Sequence, residues 1–156
     1  MQSKSLPQFK LNTKAQKRFD TGHPWIFSNE VSEIPKELTN GELVELRNSR
    51  NEFLAYGFGN RNSLICFRVV SRDKNFLKAP NWQARLKKAA ALRQDLGLSS
   101  YSHRLCFGEA DGIPGLIIDR YQLKNGQAFV VQAQSAGADL LMPEIINFLQ
   151  TQPQSA

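Results

Sequence analysis

The run NGELVELRNSRNEFLAYGFGNRNSLICFRVV at residues 40–70 decides the fold. It holds three segments rich in β-branched and aromatic residues, Leu43–Arg47, Phe53–Phe58 and Leu64–Val70, split by the polar turns Asn48–Glu52 and Asn60–Ser63. Short runs of this composition bounded by Asn, Ser and Gly read as strands, and Asn40-Gly41 supplies a strong turn ahead of the first. The pattern predicts a small barrel or sheet. Gly57-Phe58-Gly59-Asn60-Arg61-Asn62 begins like a dinucleotide-binding loop, but its third glycine is missing. The residues after it read as a strand, not as the helix whose N-terminus would hold a phosphate. The two glycines instead predict a bulge or a close backbone approach.

Upstream of this run, Phe9–Asn12 reads as an opening strand and Lys14–Asp20 as a short helix, ended by Thr21-Gly22 and Pro24. The next seven residues, Gly22-His-Pro-Trp-Ile-Phe-Ser28, combine turn formers with planar rings directly behind the basic Lys14, Lys17 and Arg18. Ile26 and one of the two aromatics are expected in the core, because large rings are recruited mainly to bury area. The Gly22-His23-Pro24 turn would then project polar and planar groups, with Trp25, beside three cations. A basic platform with a stackable ring suits RNA, whose loop bases can be unstacked and held on planar side chains.

Downstream, a boundary is expected near residues 71–80, where polar residues and Ala79-Pro80 interrupt the apolar runs. Trp82, Leu86, Ala89, Ala90, Leu92 and Leu96 recur near the helical period and predict a helix of about four turns, stopped by Gly97. Its Arg85, Lys87, Lys88 and Arg93 read as a solvated face. Strands are expected next at Arg104–Phe107, Leu116–Asp119 and Ala128–Gln132, then a closing helix over Ala138–Gln150 and a polar tail, 150–156. Glu109, Asp111 and Asp119 could be taken for metal or acid/base carboxylates, but no histidine or further carboxylate completes such a site. Asp111-Gly112 and Pro114-Gly115 are good turn dipeptides, so the preferred reading is a hairpin, with an ion pair inside Asp119-Arg120-Tyr121.

The whole chain has 156 residues, 41% of them hydrophobic, enough for one domain or two small ones with a genuine core. Lys and Arg number 20 against 14 acidic residues, a formal charge of +6 that favours an anionic partner. No stretch approaches the length of a membrane span, and the N-terminus lacks the apolar segment of a secretion signal, so the expectation is a cytoplasmic protein without a membrane partner. Cys66 and Cys106 each lie in an apolar run and read as core thiols. His23 and His103 lack metal-ligand spacing, and no metal is expected.

The residues also resemble a known family. Arg18-Phe-Asp-Thr-Gly-His-Pro-Trp-Ile-Phe-Ser-Asn-Glu-Val31, with Gly41–Val44, Gly57–Asn60 and Ser63–Arg68, resembles the PUA domain that opens members of the rRNA large-subunit methyltransferase I family. Arg104-Leu-Cys-Phe-Gly-Glu-Ala-Asp-Gly-Ile-Pro-Gly-Leu-Ile-Ile-Asp-Arg-Tyr121 resembles the signature of that family's central domain, so Glu109, Asp111, Asp119 and Arg120 become motif residues. The resemblance runs to about Leu149. It implies an α+β protein: a PUA-like small β barrel at residues 1–72 that binds 23S rRNA, then a central α+β domain at 73–156.

In the family, a C-terminal Rossmann-like domain uses S-adenosylmethionine to methylate carbon 5 of a cytosine, and it carries the methyl-donor loop and both active-site cysteines. Cys66 and Cys106 do not match those positions, so no catalytic residue is carried over. The chain is expected to lack the Rossmann-like domain and to hold no cofactor itself, S-adenosylmethionine being expected for a full-length member. The basic platform and its turn give the expected RNA-binding residues: Lys14, Lys17, Arg18, Gly22, His23, Pro24 and Trp25. A separate catalytic methyltransferase domain is a second expected partner. The rival readings are an active enzyme completed by that domain and a protein-interaction scaffold. The sequence sets no oligomeric state.

Overall fold

The computed structural model describes residues 5–151, so the expected polar tail lies largely outside the described residues. The chain divides into two compact units, Met1–Ala79 and Pro80–Ala156.

In the first unit, strand β1 (Gln8–Lys10) leads into helix α1 (Thr13–Asp20) and strand β2 (Trp25–Phe27). Strands β3 (Leu43–Arg47), β4 (Phe53–Gly59) and β5 (Ile65–Ser71) then fill the three runs that the sequence marks. They form one sheet in the order β1-β3-β4-β5-β2, with β1 parallel to β3 and the other pairs antiparallel. The two edges also meet: Leu11 bridges Val31, the Asn12 amide donates to the Glu30 carbonyl at 2.8 Å, and the Ser32 amide donates to the Lys10 carbonyl at 3.0 Å. The sheet thus curls back on itself, which satisfies edge groups that would otherwise be open to pairing.

Phe9, Leu11, Phe19, Ile26, Val44, Leu46, Ala55 and Phe67 fill the interior. Phe9 and Phe67 lie with ring centroids 6.0 Å apart, within the range where aromatic pairs attract. Helix α1 contributes Ala15 and Phe19, one turn apart on its inner face. Its C-terminal end is tied down by Arg72, which donates to the Phe19 carbonyl at 3.0 Å and lies over the Phe19 ring. A cation is favourable there because the last carbonyls of a helix carry partial negative charge.

The two glycines of β4 act as the sequence predicts. The β4–β5 register shifts between Tyr56 and Gly57. A Cβ at Gly57 would meet the Arg68 carbonyl oxygen and the Phe67 ring at 2.4 Å, and one at Gly59 would meet Val44 at 2.6 Å. Only a hydrogen fits in either place.

In the second unit, helix α2 (Trp82–Asp95) starts at Asn81, whose Oδ1 accepts the Ala84 amide at 2.8 Å. It ends at Gly97, which holds a φ of +73°. Its buried residues, Trp82, Leu86 and Ala89, follow the helical repeat. Strands β6 (His103–Phe107), β7 (Leu116–Leu123) and β8 (Gly126–Ala133) form an antiparallel meander, so the turns at 111–115 do close the expected hairpin.

The expected closing helix is two helices, α3 (Ala136–Leu140) and α4 (Met142–Gln150), broken at Leu141. Pro143 sits in the first turn of α4, where its missing N–H costs nothing and where it cannot continue α3. Among the described residues no helix is long and apolar enough to cross a membrane.

Candidate functional site

The outer side of β2 and the loops beside it gather polar and aromatic side chains of the first unit. Strand alternation points Ile26 into the core and turns the half-buried Trp25 and Phe27 the other way. The strand is held antiparallel to β5, with Trp25 opposite Arg68 and Ile26 opposite Phe67. The Arg68 guanidinium lies 5.2 Å from the Trp25 ring centroid, a cation–π contact. His23 meets Trp25 edge-on at 6.0 Å, and its Nδ1 is 3.1 Å from the Trp25 amide nitrogen. Gly22 makes the preceding turn possible with a φ of +94°, a region costly for any residue with a Cβ. The Pro24 carbonyl accepts the Val69 amide at 2.8 Å and pins the turn to β5.

Glu30 organises this edge. Its carboxylate accepts the Arg18 Nε–H at 2.9 Å and the Phe27 amide at 2.8 Å, and it pairs with an Arg18 terminal nitrogen. That same nitrogen donates to the Trp25 carbonyl at 2.9 Å. The Arg18 guanidinium also lies 5.1 Å from the Phe27 ring centroid. Arg18, expected to hold a phosphate, therefore has Nε and one terminal nitrogen committed to the wall of the site. Lys14 and Lys17 are exposed on α1, with no ion-pair partner among the described residues. Around the network, Arg18, His23, Phe27, Ser28, Asn29, Glu30 and Leu64 line an open cleft. Sequence reasoning left Phe27 without a role and missed Asn29, Glu30, Leu64 and Arg68. The one available signal was Glu30, three residues beyond Phe27, a spacing that lets a carboxylate fold back on a backbone amide.

The motif residues of the second unit have structural partners. Asp111 forms a two-pronged pair with Arg93, at 2.6 and 2.8 Å, and accepts the Phe107 amide at 2.7 Å. Asp119 pairs with Arg104 at 2.9 and 3.1 Å, so the expected ion pair within Asp119-Arg120-Tyr121 does not form. Opposite neighbours on adjacent strands outcompete the next residue, whose side chain points to the other face of β7. Arg120 is 9% exposed and donates to Gln127, Gln122 and the Ser99 carbonyl. Half-buried Glu109 lies in the 3-10 turn Gly108–Asp111, where its carbonyl accepts the Gly112 amide at 3.1 Å.

Two cations of α2 also leave the expected solvated face: Arg93 goes to Asp111, and Arg85 donates to the Gly112 carbonyl and lies over Trp82. Burial draws the Arg85 guanidinium below its ordinary pKa. Lys87 and Lys88 remain exposed. Both cysteines are fully buried, Cys66 donating to the Ile26 carbonyl and Cys106 to the Leu116 carbonyl, and burial pushes each thiol up to about 12. Neither is a nucleophile at neutral pH. No group of three or more His, Cys, Asp or Glu residues suited to a metal ion occurs among the described residues.

A curled five-stranded sheet with one short helix and an aromatic, basic edge defines a class, and residues 9–72 match the PUA-like domain family. The chain carries a PUA-like domain and, over 150 residues, is related in sequence to the ribosomal RNA large subunit methyltransferase I proteins. The proteins of that name from Klebsiella pneumoniae subsp. pneumoniae and Salmonella paratyphi B are each 35% identical to it, across 93% of this chain and 36% of theirs. The chain thus spans about a third of the length of these relatives. In fold it is similar to a Streptococcus mutans protein assigned as a SAM-dependent methyltransferase, with a TM-score of 0.70 at 14% identity, covering 93% of this chain and 37% of that one. A second structure, assigned as a methyltransferase and complexed with SAH, gives 0.68 at 16% identity over the same shares.

Proposed function

We propose that this chain binds ribosomal RNA through its first unit and serves as the RNA-recognition part of S-adenosylmethionine-dependent methylation of a cytosine carbon 5 in 23S rRNA. The observation that carries the reading is helix α1, which carries exposed Lys14 and Lys17 and reaches the Trp25–Phe27 edge through Arg18, within the stretch that matches the PUA-like domain. Lysines supply phosphate attraction, and planar rings supply sequence-tolerant base contacts. The 35% identity over 150 residues to rRNA methyltransferase relatives supports a role in that chemistry.

No methyl-transfer step is placed on the described residues. S-adenosylmethionine supplies the methyl group in that chemistry. The glycine pair that the sequence offers as a nucleotide loop does not fit it, because Gly57 and Gly59 lie inside β4 with the space beside them filled by Phe67, Arg68 and Val44. The second unit, with Glu109, Asp111, Asp119 and Arg120 bound into its own framework, acts as a connecting element. Fluorescence anisotropy of a labelled 23S rRNA hairpin tests the reading, with a duplex DNA of equal length as the control. Salt-sensitive preference for the RNA is expected. Equal affinity for the two, or no binding at low salt, would contradict it.

A further inference from the structure

We propose that the cleft bounded by Leu64, Phe27 and His23 takes one unpaired nucleobase, with Leu64 as the wedge that keeps that base out of the helical stack. The inference rests on the RNA-binding reading above and names the feature of the RNA that the site selects.

Leu64 is 78% exposed, the most exposed large hydrophobic side chain among the described residues. Isolated surface leucines are ordinary, but the backbone beneath this one is fixed. Its carbonyl accepts the Ser28 amide at 2.9 Å, which ties it to the end of β2. The turn before it is held by the Asn62 amide donating to the Asn60 side chain at 2.9 Å and by the Asn60 amide donating to the Cys66 carbonyl at 2.8 Å. An apolar group is thus displayed to water from an anchored turn at the mouth of a cleft.

The other lining groups suit a flat, uncharged ring. Phe27 and His23 are planar, and Ser28 and Asn29 expose polar groups to a base edge. The one carboxylate in the cleft, Glu30, is compensated by Arg18 and by the Phe27 amide, so a base can enter without facing an unpaired charge. Lys14 lies one helical turn before Arg18 on the same face of α1 and is exposed, which places a cation beside the cleft for the nucleotide's phosphate. A cleft with planar walls, polar edges, an apolar lip at Leu64 and a cationic rim complements a nucleotide whose base has left its stack, and apolar wedges are a known way to hold a base step open.

The test uses the full chain and two labelled RNA hairpins, one with a single 2-aminopurine bulge and one fully paired. The bulged hairpin should bind about 5- to 150-fold more tightly, the range that one base–side-chain stack supplies, and 2-aminopurine fluorescence should rise on binding. Leu64→Ser, a surface change that should leave the fold intact, should abolish the preference and the fluorescence change while affinity for the paired hairpin holds within about twofold. Leu64→Phe should retain both. Binding of both hairpins without preference by the unaltered chain, or a preference that survives in Leu64→Ser, would overturn the wedge and leave RNA binding standing. Failure to bind either hairpin at low salt would overturn both readings.

Discussion

Arg93 and Arg104 of the second unit end on Asp111 and Asp119, whereas Lys14 and Lys17 of the first unit end on no acidic group among the described residues. The first unit also carries an ion pair, Arg18–Glu30, but uses it to shape an open edge beside Phe27. In the second unit the Arg93–Asp111 pair is largely buried, at 13% and 7% exposed, while Arg104–Asp119 ties adjacent strands together at the surface. Charge excess in a sequence thus divides into two populations. One is spent on the fold, and the other is left for a partner. The motif richest in charge, Arg104–Tyr121, belongs to the first population.

The contrast between the two units is sharpest at Asp111. Asp111→Ala leaves Arg93 buried without a counter-charge and the Phe107 amide without an acceptor, and should cost about 3–5 kcal/mol in urea unfolding. A loss no larger than that of an exposed pair would mean that the second unit's charges are as dispensable as surface ones. In the first unit the comparable sensitivity is steric. Gly57→Ala, which sets a methyl group against Phe67 and the Arg68 carbonyl, should cost about 1–3 kcal/mol in the same assay.

The buried thiols give both units a common pH response. Each folded thiol has its pKa raised from 9.0 to about 12 by burial, so the unfolded chain loses these protons first as pH rises. Stability from the thiols is therefore complete below pH 9 and declines between 9 and 12, by about 1–2 kcal/mol per thiol at pH 10. Unfolding midpoints of Cys66→Ala and Cys106→Ala at pH 8 and pH 10 check this, since each variant should shrink the drop. The smallest stability effect belongs to the lysines: Lys14→Glu with Lys17→Glu should shift unfolding by no more than about 0.5 kcal/mol per site.

Strands β3, β4 and β5 were legible because each is at least five residues long and bounded by turn formers. Strand β2 was not. It is three residues long, lies between Pro24 and a 3-10 turn, and owes its existence to pairing with β5 some forty residues on, at Trp25↔Arg68. The same non-locality hid the fate of Arg93, which looks like a solvated helix residue until the β6–β7 connection brings Asp111 to it. In the site, the basic residues and the planar rings were readable by type. The cleft was not, because Leu64 reads as the first residue of a strand, while β5 begins at Ile65 and leaves it at the turn.

If the free charge of the first unit, and not net charge alone, binds RNA, position must matter more than sign. That is decided by salt titration of a labelled 23S rRNA hairpin against three proteins: the unaltered chain, Lys14→Glu/Lys17→Glu, and the charge-matched Lys87→Glu/Lys88→Glu on α2. The first double variant should lose affinity, and its slope of log K against log salt should flatten by about 0.7–0.9 for each phosphate contact removed, while the second stays close to the unaltered chain. Equal losses in the two double variants would contradict this and reduce the interaction to overall charge.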